Sequence, residues 1–123
     1  MLNRKLGDKI RESAVKMPII AITGPRQSGK STLIQALFPE HSYLNLEDLE
    51  LRQFAISDPK GFLQSQKGKV ILDEVQYVPH LFSYIQVISD RDKVPGQFIL
   101  SGSQNFQLME SISQSLAGRV SIF

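Results

Sequence analysis

Gly24-Pro25-Arg26-Gln27-Ser28-Gly29-Lys30-Ser31 fits the pattern G-x-x-x-x-G-K-S/T, the P-loop or Walker A arrangement, and its spacing has a physical reason. Glycines let the backbone wrap an anion with its N–H groups pointing inward, and the helix that follows offers its positive N-terminal end to phosphates. Lys30 is placed to reach the β- and γ-phosphates and is expected to face solvent without them. Ser31 would supply a hydroxyl to Mg²⁺, and Thr32 can reach the α-phosphate. Residues 24 to 32 are therefore the expected phosphate-binding set, for ATP by the reading below. A chain of this length matches the pattern by chance in on the order of a few cases per thousand. The segment also follows an expected strand and opens an expected helix, which makes a ligand-free glycine turn the weaker reading.

Val70-Ile71-Leu72-Asp73-Glu74 is an apolar strand ending in two carboxylates, the Walker B arrangement. Asp73 would hold Mg²⁺ through its water shell, and Glu74, one residue into the loop, would polarise the attacking water as general base. Asp-Glu at a strand end is common by itself and gains meaning only behind a P-loop. A glutamate directly after the aspartate, with a strand between the two motifs, indicates NTPases with a catalytic glutamate. Asp-x-x-Gly is missing at this point and Asn-Lys-x-Asp is missing throughout, which disfavours guanine specificity. Leu100-Ser101-Gly102-Ser103-Gln104 places hydroxyls and an amide at the next strand end, where they could touch the γ-phosphate or position water. Ser103 reads equally as a helix N-cap. Arg119 stands before the last strand, either as an arginine finger for a neighbour's site or as a cation near helix carbonyls.

Elements must position these groups. Leu2, Leu6, Ile10 and Ala14 recur every four residues and predict an amphipathic N-terminal helix over residues 1–16. Pro18 to Thr23 predicts a strand buried on both faces, Lys30 to Leu37 a helix, and Ser42 to Leu46 a second strand. Glu47 to Ile56 reads as helical, and Asp58-Pro59 offers a cap and first residue for a short helix. Lys69 to Asp73 is the clearest strand. A helix from Pro79, a strand from Gln97 to Leu100, a helix capped by Ser103 and stopped by Gly118, and a strand from Val120 to Phe123 complete the chain. The alternation predicts an α/β fold: a five-stranded, mostly parallel sheet between helical layers, with ligands at the carboxyl ends of its strands.

The chain has 123 residues, with 41% hydrophobic and 21% charged, which suits one domain with a core and excludes a disordered tract. It has no cysteine, and its longest apolar run, Ile19 to Ile22, is too short for a membrane span. A cytoplasmic protein without a membrane role is expected. Of 14 basic and 12 acidic residues, five and two fall in residues 1–16, so the charge excess is local. A solvated face is the plainer reading of Arg4, Lys5, Lys9 and Arg11, and DNA contact the sharper one. His41 and His80 have no metal-ligand pattern. Tyr43, Tyr77 and Tyr84 read as core rather than as a stacking platform. Asp90-Arg91-Asp92 offers a weak small-molecule kinase reading, at a helix end away from the strand tips.

Residues 24–33, Ile71-Leu72-Asp73-Glu74-Val75-Gln76, Leu100-Ser101-Gly102-Ser103 and Leu116-Ala117-Gly118-Arg119 together resemble the prokaryotic AAA-type ATPases that carry an uncharacterised C-terminal domain. The resemblance covers nearly the whole chain. It implies a P-loop NTPase core over residues 17–123 whose sheet has the P-loop strand central. It also implies that Gln76 lines the site, that Ser103 falls in the sensor-1 region and that Arg119 falls in the finger region. Members of that family are much longer, so a chain ending at Phe123 reads as truncated before the lid or C-terminal domain. The expected function is Mg²⁺-dependent ATP hydrolysis, with Glu74, Lys30, Ser103 and Arg119 catalytic and Ser31 and Asp73 at the metal. The expected partners are a second copy of the chain, through Arg119, and an unidentified DNA or protein client. The alternatives are a nucleotide-dependent switch or DNA-associated ATPase with little turnover.

Overall fold

Ile19 to Ile22 has no polar face to offer water, and in the computed structural model each of these four residues is at most 1% exposed. The structure describes residues 4–25, 29–103 and 106–123, apart from the side chains of Phe106 and Gln107. Its strands are β1 (Ile19–Gly24), β2 (Ser42–Asn45), β3 (Val70–Asp73), β4 (Phe98–Ser103) and β5 (Val120–Ile122). Its α-helices are α1 (Arg4–Ala14), α2 (Lys30–Leu37), α3 (Leu49–Ser57), α4 (Pro59–Gln64), α5 (Leu81–Asp92) and α6 (Phe106–Leu116), with a 3₁₀ turn at Val75–Tyr77. None of the described helices is long and apolar enough to cross a membrane.

The strands form one sheet in the order β2-β3-β4-β1-β5, and every neighbouring pair is parallel. The middle strand is β4. The P-loop strand β1 is interior but second from the edge, flanked by β4 and β5, so its expected central place shifts by one. Side chains alternate across a strand, which fixes two layers. Ile20, Ile22, Ile71 and Ile99 meet Ile10 of α1 and Ile34 of α2. On the opposite face Ile19, Ala21, Val70, Leu72, Phe98 and Leu100 meet Phe62, Phe82, Ile85, Ile112 and Leu116 from the other helices.

Local signals set several boundaries. Asp48 accepts from the N–H groups of Glu50 and Leu51 and opens α3, while Asp58 accepts from Gly61 ahead of Pro59 and opens α4. Two expected starts move. Pro79 and His80 form a turn, and α5 begins at Leu81. Ser103, expected as the cap of the last helix, pairs in register with Gly24 as the last residue of β4, and α6 begins at Phe106. The ladder extends β4 beyond Leu100 because β1, its partner, continues to Gly24. Leu2, the first residue of the N-terminal stripe, lies outside the described residues.

Candidate functional site

In a parallel sheet all carboxyl ends share one edge, and register brings Asn45 beside Asp73 and Gly24 beside Ser103 there. Gly24 ends β1 and Pro25 follows it, whereas Arg26, Gln27 and Ser28 lie outside the described residues. Gly29 has φ +82, a left-handed conformation that favours glycine, and its carbonyl accepts from Leu33 N–H as α2 begins. Lys30 and Ser31 follow in the first turn, with Thr32 exposed. Lys30 is 4% exposed, which corrects the expectation that it faces solvent. Its charge acts on the Asp73 carboxylate and helps to hold it ionised.

Asp73 is 2% exposed at the end of β3, and burial of an unpaired carboxylate there would be costly. Four donors meet it. Ser31 Oγ donates to Oδ2 at 2.5 Å and Tyr43 OH to the same oxygen at 2.6 Å. Ser101 Oγ donates to Oδ1, and the Glu74 backbone N–H donates to it at 2.9 Å. Burial pushes the Asp73 pKa up, but the three hydroxyls and then Lys30 outweigh it and hold the group below the usual carboxylate value. Tyr43 moves the other way: burial first, then its bond to Asp73, raises its pKa, so it stays a protonated donor.

Glu74 stands in the left-handed region at φ 57, an uncommon place for a side chain with a Cβ, and is 8% exposed. The turn re-aims the chain directly after Asp73, and strained conformations of this kind concentrate at functional sites. Gln76 Nε2 donates to Glu74 Oε1 at 2.9 Å, and Gln76 Oε1 accepts from Ser103 N–H at 3.3 Å. One carboxamide thus ties Glu74 to the end of β4. Gly102 leaves room for it, since a Cβ there would lie 2.5 Å from Gln76 Oε1. The Arg52 guanidinium lies 3.8 Å from the Tyr77 ring centroid and its Nε donates to Leu46 O at 3.0 Å, which fastens the turn after Glu74 to the loop after β2.

The structure therefore brings together Lys30, Ser31, Asp73, Glu74 and Ser103 of the expected site residues, with Gln76 between the last two. Arg119 is elsewhere. It precedes β5 at the amino end of the sheet, where Nε and Nη2 donate to the two oxygens of Asp90 at 2.6 and 2.9 Å and Nη1 to Ala117 O at 2.9 Å. Asp92 is likewise engaged, by Arg91 and Gln97, so the Asp90-Arg91-Asp92 segment contributes nothing at the carboxyl ends.

Tyr43 and Ser101 are the residues that sequence reasoning did not assign to Asp73. A signal existed. Ile71 and Asp73 share a face of β3 at period two, and Tyr43 pairs with Ile71 across β2. Ser101 follows Leu100, which pairs with Leu72, so it reaches the same face beside Asp73. Using that signal required the strand order, which the sequence pattern leaves open.

Residues 16–123 match the family model described as an AAA domain. An uncharacterized protein of Mycobacterium bovis and one of Mycobacterium tuberculosis are each 33% identical over 122 residues, covering 97% of this chain and 27% of either relative. The chain thus spans about a quarter of the length of these curated relatives. Among solved structures, Caenorhabditis elegans PCH-2 is similar with TM-score 0.60 and 16% identity, over 99% of this chain and 42% of that one. A Walker-type ATPase of Pyrococcus abyssi is similar with TM-score 0.60 and 17% identity, over 97% of this chain and 52% of that one. At these identities the two structures show a shared fold.

Proposed function

Proceeding from a chain that belongs to the AAA domain family, we propose that it binds ATP with Mg²⁺ at the carboxyl ends of β1 and β3 and hydrolyses it. The observation that carries the reading is the 2.5 Å bond between Ser31 on α2 and Asp73 on β3, two hard oxygen donors of which one follows Lys30 and the other precedes Glu74. That donor set suits Mg²⁺, which takes one or two protein oxygens and completes its shell with phosphate and water. Ser31 and Asp73 would hold the ion, which would supply positive charge to offset that of the phosphates. Gly24 to Thr32 would surround the phosphates, with Lys30 supplying the fixed cation. Glu74 would take the proton of the attacking water at its carboxylate, with Gln76 holding that carboxylate in place. Ser103 would contribute through its position beside the P-loop strand. In this reading residues 17–123 form the ATPase core with the helix of residues 1–16 added.

Thermal melting with and without Mg-ATP tests binding. At about a hundred times its Kd a ligand adds roughly 2.7 kcal/mol, which raises the melting temperature of a domain this size by roughly 10 °C. Lys30→Ala should abolish most of that increment, measured against its own ligand-free melting point because the buried side chain also contributes packing. A full increment in the variant would overturn the P-loop assignment. Glu74→Gln keeps shape and hydrogen bonding but removes basicity, so ATP should still bind while phosphate release falls by on the order of 10² to 10⁴. Parent chain that binds ATP yet releases no phosphate would instead support the nucleotide-dependent switch. The DNA-associated alternative predicts salt-dependent binding lost on neutralising Arg4, Lys5, Lys9 and Arg11.

A further inference from the structure

Oδ2 of Asp73 is held by two hydroxyls of different standing. Ser31 sits in the first turn of α2, next to the loop that would enclose phosphates, so its position is tied to that loop. Tyr43 belongs to β2, whose ladder with β3 pairs Ser42 through Asn45 with Val70 through Asp73. Its ring packs against the apolar layer that contains Ile71, Ile34 and Phe38, and its hydroxyl reaches Asp73 at 2.6 Å. An aromatic side chain has few rotamers to lose, and here the sheet fixes its origin while the layer fixes its plane. Oδ1 has its own partners, Ser101 and the Glu74 N–H. Without the phenol, Oδ2 would be left among these bonds to the hydroxyl nearest the ligand.

We propose that Tyr43 is a positioning residue for the Asp73 carboxylate and thereby sets how tightly a divalent cation is held with the nucleotide. The inference rests on the reading of Asp73 as the metal-binding carboxylate. Tyr43 itself supplies no metal ligand; it keeps Oδ2 aimed the same way whether or not the P-loop is occupied. Groups that orient a metal-binding residue in this manner change metal affinity by about 10- to 100-fold when removed.

The decisive variant is Tyr43→Phe, which deletes one oxygen and keeps the ring. ATP affinity is measured by calorimetry in excess Mg²⁺ and again in EDTA, and the ratio isolates the contribution of the metal. In the parent, Mg²⁺ should tighten binding. In Tyr43→Phe that gain should shrink by about tenfold, with the affinity in EDTA unchanged within about twofold and the ligand-free melting temperature little moved. The Mg²⁺ concentration for half-maximal phosphate release should rise in parallel. Tyr43→Leu, which removes the ring as well, should melt lower yet lose no more of the Mg²⁺ gain than the phenylalanine variant. An unchanged ratio in Tyr43→Phe overturns the proposal, and so does an equal loss of affinity in Mg²⁺ and EDTA, which would mark a packing role. A parent that binds ATP equally with Mg²⁺ and EDTA would overturn the metal reading of Asp73 itself, a failure distinct from that of Tyr43.

Discussion

A carboxylate taken into an apolar strand end must be met by donors or it takes a proton and loses its charge. Asp73 keeps its charge because the fold converges three side-chain hydroxyls and a backbone N–H on it. The consequence for stability has a definite sign: a carboxyl whose folded pKa is depressed stabilises the fold above its unfolded value, about 3.9, and that share is lost as pH falls through the folded pKa. Urea denaturation from pH 7 down to pH 2.5 should therefore show the parent losing stability mainly below about pH 4. Asp73→Asn should be less stable at pH 7 and should lose less on acidification. Asp90 and Asp92, also held below the ordinary value by their arginine partners, are present in both proteins and cancel in the difference. Equal acid slopes would show that the donors do not favour the ionised form. The Gln76 link is tested where no catalytic group is touched. Gly102→Ala places a Cβ 2.5 Å from Gln76 Oε1 and 3.0 Å from Leu108 Cδ2, so the carboxamide must leave its bond to Glu74 or Leu108 must shift. Turnover should fall by about tenfold, 1.4 kcal/mol in the barrier, with little change in ATP affinity. A fall in affinity with turnover intact would place Gln76 outside the hydrolytic step.

At the scale of elements, the N-terminal helix carries the charge excess yet is docked on the sheet. Ile10 is fully buried among Ile20, Ile34 and Phe38, and Arg11 Nη1 donates to Leu37 O at 2.5 Å. Ile10→Ala should destabilise the chain by about 2–5 kcal/mol, because the cavity it leaves lies between α1 and the sheet. A loss near zero in urea melts would show that the helix is dispensable to the core. The sequence made such elements legible wherever the signal was local: Pro59 after Asp58, the β-branched run of β1, the helix Lys30–Leu37 between a glycine and a proline, and the abrupt acidic end of β3. The same local signals located Lys30, Ser31, Asp73 and Glu74. What remained hidden depended on pairing between distant segments. Ser103 looked like a cap because a serine before an amphipathic run is one by local rules, and only the register with β1 makes it a strand residue. Tyr43 looked like core because its ring, partly buried, packs against the core, and the hydroxyl acquires a role only when β2 lies beside β3. The order of β1 and β4 likewise follows from tertiary packing.

The parallel sheet also gives the whole molecule two chemically different ends. Gly24 closes β1 at the carboxyl end, whereas Arg119 precedes Val120, which pairs with Ile19 at the amino end. Five residues of strand separate these levels, roughly 16 Å at about 3.3 Å per residue. Arg119 is further anchored by both oxygens of Asp90, on α5. A part in its own site is therefore excluded by geometry, and any catalytic part it has must be played on a second copy of the chain. We propose that trans role as the expectation to test. Specific activity should rise with protein concentration, and Arg119→Ala should lose up to roughly 10³ to 10⁵ in kcat while ATP affinity holds. Loss of the pair with Asp90 would by itself lower only the melting temperature, so the variant is assayed well below its own transition. Mixing Arg119→Ala with Lys30→Ala separates the two effects. The first contributes an intact P-loop and the second an intact arginine, and a trans arrangement assembles one competent site from the pair. Partial recovery of phosphate release in the mixture is the expected result. A mixture as inactive as its parts, together with a parent whose specific activity is flat with concentration, would reduce Arg119 to a clamp that fastens the start of β5 to α5 through Asp90.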